Sequence, residues 1–207
     1  GGYFLESYVR FCVFPLPLCA HTNTHTHRSK LQKQLRNTQS TTSWKTRVEG
    51  LETLSKILKE CSYAIEMNRH TAQFLRIVGE RIAESNHNVR LRALDVCGKF
   101  GRSLELAKRK RVVKIVAEKM YIAIGDKKKQ ITEAAMKALL EWISDEKSRP
   151  VHLSVLLPSV PGAFERPNAR LSVLKFLETH LGNLNSPSSD DISAAKHLVS
   201  CCVDCLK

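Results

Sequence analysis

The chain has 207 residues, 43% hydrophobic and only 6% aromatic, which suits one domain with a sizeable core and favours helices over a β-sandwich. Lys and Arg number 33 against 20 acids, a net charge of +13, so the partners to expect are anionic: nucleic acid, a membrane surface or an acidic protein. Seven cysteines lack disulfide-framework spacing and no apolar run approaches the ~20 residues of a membrane span, which argues against a disulfide-stapled scaffold and a transmembrane helix.

Residues 1–40 differ from the rest. HTNTHTH (His21 to His27) is low in complexity and QLRNTQSTTS (Gln34 to Ser43) is polar. Such segments bury too little surface to offset ordering entropy, so this stretch is expected to be poorly ordered. The histidine tract has no fixed geometry and is not read as a metal site. Phe11 to Cys19 is apolar but carries Pro15 and Pro17, and reads as a non-signal.

From Trp44 the pattern becomes periodic, and residues 41–207 read as one domain. A polar residue is followed by a small-or-apolar pair at three and four, then an apolar residue three further on. The copies are Arg47, Gly50, Leu51, Leu54; Arg90, Ala93, Leu94, Cys97; Thr132, Ala135, Met136, Leu139; and Arg170, Val173, Leu174, Leu177. Their offsets are 43, 42 and 38 residues, the period of HEAT-type helical hairpins. Each copy puts one apolar stripe on a helix. Between them lie further stripes: Phe74, Leu75, Val78, Ile82; Val112, Val113, Val116, Met120; Leu153, Leu156, Leu157, Val160; and the start of another at Ile192, Ala195, Val199, Cys202. A hairpin of two such helices cannot bury both faces alone and must stack on its neighbours. The expected fold is therefore all-α, an α-solenoid of HEAT-like hairpins.

Such a stack puts the turns within hairpins on one edge, about 10 Å apart, the usual helix-packing distance. Those turns are Ser43–Lys45, Glu84–Asn88, Gly125–Gln130 and Glu165–Asn168. The first presents Trp44, a large apolar residue outside its helix's stripe, beside Lys45; it reads either as an interface anchor or as a hydrophobic staple. In the second, Asn88 reads as an N-cap. The third sets Lys127, Lys128 and Lys129 at a helix start, where cations oppose the helix dipole, with Asp126 as a possible cap. The fourth is RPNAR, with Arg166 and Arg170 around Pro167–Asn168. The opposite edge carries KRKRVVK (Lys108 to Lys114), which resembles a polyanion or nuclear-import patch and is also what a solvated first turn looks like.

SWKTRVEGLETLSKIL resembles the opening of TOG domains, the tubulin-binding HEAT arrays of microtubule-polymerase and CLASP-type proteins, and is most similar to the polymerase branch with its Trp-Lys-x-Arg start. ESNHNVRLRAL, GDKKKQITEAAMKAL and RPNARLSVLKFLETHL resemble the second, third and fourth repeats in that order. The resemblance spans residues 41–207 and stops inside the fifth repeat. It implies a tubulin-contacting edge formed by Trp44 and Lys45, then Asn86, Asn88 and Val89, then Lys127, Lys128 and Lys129, then Asn168 and Arg170. It also implies αβ-tubulin at the microtubule plus end as partner, no cofactor, no membrane partner, promotion of microtubule growth, and a cytoplasmic place on the cytoskeleton at microtubules, spindle or centrosome.

Catalytic signatures are missing from the sequence. GDKKKQIT lacks the second glycine of a phosphate-binding loop, and there is no G-x-S-x-G elbow. His197, Cys201 and Cys205 share a helical spacing of four, but one helix seldom closes a zinc site. The expectation is a non-enzyme. The alternatives to tubulin binding are a basic solenoid that binds nucleic acid and a HEAT scaffold for another protein; Trp44 discriminates, since lysines alone suffice for a polyanion.

Overall fold

The computed structural model describes residues 43–60, 69–144, 155–164 and 166–181, together with a few positions between 189 and 200. The expectation of poor order for residues 1–40 lies outside the described residues, as do Cys61, Leu153, Glu165, Ala195, His197, Cys201, Cys202 and Cys205.

Among the described residues eight α-helices of five residues or more follow one another: α1 (Trp44–Glu60), α2 (Arg69–Ile82), α3 (His87–Arg102), α4 (Leu106–Val112), α5 (Ala117–Ile124), α6 (Lys129–Ile143), α7 (Val160–Phe164) and α8 (Pro167–Leu181). A 3-10 turn over Val113–Ile115 joins α4 to α5, and another over Leu157–Ser159 leads into α7. Among the described residues there is no strand. The fold is the all-α solenoid that the period implies.

Two layers build it. The signature helices α1, α3 and α6 lie side by side in one. The intervening helices form the other: α2 pairs with α3, α5 with α6, and α7 with α8. The stripes read from the sequence are the core. Leu51, Leu54, Phe74, Leu75, Val78, Ile82, Ala93, Leu94, Cys97, Val116, Met120, Ala135, Leu139, Val160 and Val173 are all buried.

The intervening helices depart from regularity for identifiable reasons. Val112, Val113, Ile115 and Val116 place four β-branched residues in five positions, and the helix tightens there into a 3-10 turn. Pro158 and Pro161 lack a backbone N–H, which leaves the next element as a short 3-10 turn and the five-residue α7. The fourth signature helix is rotated from its expected phase. Leu174 is 41% exposed and Leu171 61%, and the buried face is Ala169, Val173, Phe176 and Leu177. α8 rests on α5 and α7 and meets α6 little, so the face that α3 turns to its neighbour is not the face that α8 uses. Ile192 and Val199, expected to begin another buried stripe, are exposed.

Glycines set how closely the stack closes. Gly98 and Gly101 sit one turn apart on α3, facing α6. A Cβ on Gly101 would lie 2.5 Å from the Trp142 ring, and one on Gly98 would lie 3.0 Å from Ala138 Cα. Trp142 is buried and fills the space that Gly101 leaves. Gly101→Val should therefore overpack this contact and lower stability by about 1–3 kcal/mol. Urea unfolding followed by circular dichroism checks it, and an unchanged midpoint would show that the α3–α6 contact is looser than it looks.

Arg109 closes the far end of the same contact. It is 4% exposed, so it is not one of the solvated cations that KRKRVVK suggests. Its Nε donates to Leu104 O at 2.8 Å and its Nη2 to Arg102 O at 3.2 Å, where α3 has just ended. Its Nη1 faces Glu141 O and Trp142 O in the last turn of α6 and Ser144 O just past it, at 3.2, 3.1 and 2.6 Å. One guanidinium thus satisfies the open ends of two helices.

Candidate interaction edge

Three turns of the predicted edge are described in their backbone, and the fourth from Arg166 onward. Trp44 is the first residue of α1 and is 40% exposed. Lys45 is exposed beside it, its Nζ 5.9 Å from the indole centroid, a cation–π distance.

The second turn is capped by Asn86 and not by Asn88. Asn86 Oδ1 accepts from Asn88 N at 3.0 Å and Val89 N at 3.3 Å, which satisfies two of the open donors of α3. Asn88 is exposed. Val89 is 0% exposed and belongs to the core, so its side chain offers no surface to a partner. His87 Nε2 sits 2.8 Å from Gln130 Oε1, across to the third turn.

At the third turn Lys127, Lys128 and Lys129 are all exposed. Lys129 begins α6 and approaches Glu133 at 3.6 Å, with both side chains largely in solvent. Asp126 organises the loop. Its Oδ1 accepts from Lys128 N at 2.8 Å, its Oδ2 from Arg90 Nη1 at 2.6 Å, and its carbonyl from Thr132 Oγ1 at 3.1 Å. Partial burial of the carboxyl works to raise its pKa. The hydrogen bonds from Lys128 N–H and Arg90, with the charges of Arg90 and Lys128, outweigh that and hold it below the ordinary carboxylate range. A carboxylate just ahead of α6 also offsets the adverse position of the lysines against the helix dipole.

The fourth turn abuts the third. A Cβ on Gly125 would lie 2.6 Å from Asn168 O, so only glycine permits this approach. Pro167 opens α8, Asn168 is exposed, and Arg170 Nε donates to Phe164 O within its own hairpin.

Reasoning from the sequence missed the links between turns. Arg47 Nε and Nη2 reach Glu84 Oε1 at 3.0 and 2.5 Å, and Arg81 Nη1 holds Glu84 Oε2 at 3.0 Å. Arg90 repeats the arrangement one hairpin on: it donates to Ile82 O at the end of α2 and to Asp126 in the third turn. Arg47 and Arg90 open successive copies of the repeated signature, and that recurrence was the available signal. All four of these residues are half-buried. Among the described residues of the edge turns, the carboxylates Glu84 and Asp126 are thus turned inward onto arginines, while Lys45, Lys127 and Lys128 are exposed.

On the opposite edge Lys108 pairs with Glu105 at 3.0 Å, and Lys110, Arg111 and Lys114 are exposed. Cys97, in the core, donates to Met120 Sδ at 3.7 Å, and burial pushes its thiol up to about 12, far from a reactive thiolate. Among the described residues no cluster of His, Cys, Asp or Glu could hold a metal ion, and no helix is long and apolar enough to cross a membrane.

No family model matches the chain. Over 148 residues, 70% of its length, it is 26% identical to Protein MOR1 of Oryza sativa subsp. japonica. Over 117 residues, 56% of its length, it is 28% identical to Protein MOR1 of Arabidopsis thaliana. The matched regions are 7% and 6% of those two proteins, so the chain spans under a tenth of the relatives it resembles. The similarity relates the chain to them at a coarse level.

Proposed function

We propose that this chain is a TOG-like domain that binds αβ-tubulin along the intra-hairpin turn edge and, as part of a larger protein, promotes microtubule growth or organisation. The observation that carries the reading is the composition of that edge: an exposed Trp44 on the same edge as Lys45 and Lys127–Lys129, while Glu84 and Asp126 are engaged by arginines. Tubulin is strongly acidic. A cationic edge steers it into encounter, and a single aromatic held out at one end supplies the contact that charge alone does not. The partial similarity to the two MOR1 proteins supports a microtubule-related role at a coarse level. Asn86, Asn88, Asn168 and Arg170 frame the rest of the edge, with Asn86 contributing through the cap it makes. The domain acts by binding, without chemistry of its own, and the cytoskeletal location follows from the partner.

Gel filtration of the chain with purified tubulin tests this directly, with a short DNA duplex as the competing ligand. Charge reversal of Lys127, Lys128 and Lys129 is expected to abolish co-elution with tubulin. Charge reversal of Lys110, Arg111 and Lys114, on the opposite edge, should leave it nearly unchanged. Duplex binding with a log-log salt slope matching several neutralised phosphates, lost only in the second variant and without tubulin binding, would replace the reading by a nucleic-acid one.

A further inference from the structure

We infer that Asp126 is the positioning residue of this edge: through Lys128 N–H and Arg90 it sets the Lys127–Lys129 loop outward and locks it to the second turn, so that the lysines meet a partner as a preformed unit. The inference rests on the tubulin reading of the edge and adds a residue that makes no contact itself. Three bonds converge on Asp126 from three places: the loop backbone at Lys128, the α6 side chain of Thr132, and Arg90 of α3. Arg90 is in turn anchored on Ile82 O, so the third turn is fixed with reference to the end of α2 and not only to its own hairpin. Arg47 and Glu84 do the same between the first and second turns. His87 and Gln130 add a second strut between the second and third. The lysine side chains themselves are long and exposed. What can be ordered in advance is the backbone from which they project, and the cost of ordering it then falls on folding and not on binding.

The positioning role also has an electrostatic side. Asp126 is the acid nearest in sequence to three cations, and left free it would neutralise one of them. Held by Arg90 at 2.6 Å, it directs its charge inward. The chain can therefore carry three lysines at the start of a helix without losing their field at the surface.

A double-mutant cycle tests this, with affinity for purified αβ-tubulin and amide exchange at Lys128 as readouts. Asp126→Ala should weaken tubulin binding about tenfold, the size of effect expected for losing a side-chain anchor of a loop and helix start. Asp126→Asn keeps an acceptor for Lys128 N–H but turns an amide N–H2 toward Arg90, so it should lose the lock to the second turn and bind with an affinity between those of the parent chain and Asp126→Ala. In a background where Lys127, Lys128 and Lys129 are all alanine, Asp126→Ala should have no further effect, because there is nothing left to position. The Lys128 amide should exchange slowly in the parent chain and in Asp126→Asn, and fast in Asp126→Ala. Equal losses with and without the lysines, as general destabilisation would give, overturn the inference while leaving the tubulin reading intact. So does a Lys128 amide that exchanges equally fast in the parent chain and in Asp126→Ala. A parent chain that binds no tubulin overturns both.

Discussion

Arg109→Met should lower the stability of the domain by about 3 kcal/mol, although it removes no apolar contact from the core. The guanidinium reaches carbonyls of Arg102 and Leu104 at and just past the end of α3, and of Glu141, Trp142 and Ser144 at and just past the end of α6. Methionine fills much of the same volume but donates nothing, so the buried carbonyls of Leu104 and Trp142 lose this donor. A hydrogen bond to a charged group is worth about 1.5–3 kcal/mol and each buried acceptor left unsatisfied costs about 1–3 kcal/mol, and water reaching the half-buried carbonyls of Arg102, Glu141 and Ser144 offsets part of the loss. Arg109→Lys should rescue little of the loss, because one ammonium cannot span two helix ends as a planar fork does. Urea unfolding monitored by circular dichroism gives the number. A loss under about 0.5 kcal/mol, the range of ordinary surface substitutions, would mean that water replaces the guanidinium at those carbonyls.

The second large effect concerns binding and leaves the fold alone. Trp44→Ala should cut affinity for tubulin by about 2 kcal/mol, roughly thirtyfold, as loss of an aromatic anchor at an interface does. Because the side chain is 40% exposed at the first position of α1, the unfolding midpoint should move little. The measurement pairs a tubulin titration with a thermal melt of the same variant. A variant that melts well below the parent chain would place Trp44 among the structural residues, and an unchanged affinity would remove it from the edge.

The repeated stripes were legible because a helix that buries one face must repeat its apolar residues at three and four. Leu51 and Leu54, Ala93 and Leu94, Ala135 and Leu139 follow directly from that. The exceptions come from relations that a single helix does not encode. Leu174 fits the periodic pattern, yet α8 leans on α5 with a different face, and that choice depends on the close approach of Asn168 to Gly125, 43 residues away in the chain. Asn86 and Asn88 are both good caps; which one serves is settled by the phase that buries Val89. Arg109 looks in sequence like one more member of a basic run, and only the meeting of two helix ends makes it a buried residue. The candidate edge was legible in its exposed members, Trp44, Lys45 and the three lysines. The residues behind it, Glu84 and Asp126 with Arg47 and Arg90, act across separations of 36 and 37 residues and show only once the hairpins are stacked.

The chain contains two tryptophans, and they lie in opposite surroundings: Trp44 is 40% exposed on the edge, and Trp142 is buried between α3 and α6. Each indole emits according to its own solvent, so the protein carries two optical reporters that need no label. A partner that covers the edge dehydrates Trp44 and shifts its emission to the blue. Unfolding hydrates Trp142 and shifts emission to the red. Trp44→Phe silences the first and Trp142→Phe the second, which separates occupancy of the edge from loss of the fold in one spectrum. With tubulin the emission would have to be read against the partner's own tryptophans, whereas a short acidic peptide, having none, would leave the Trp44 signal bare.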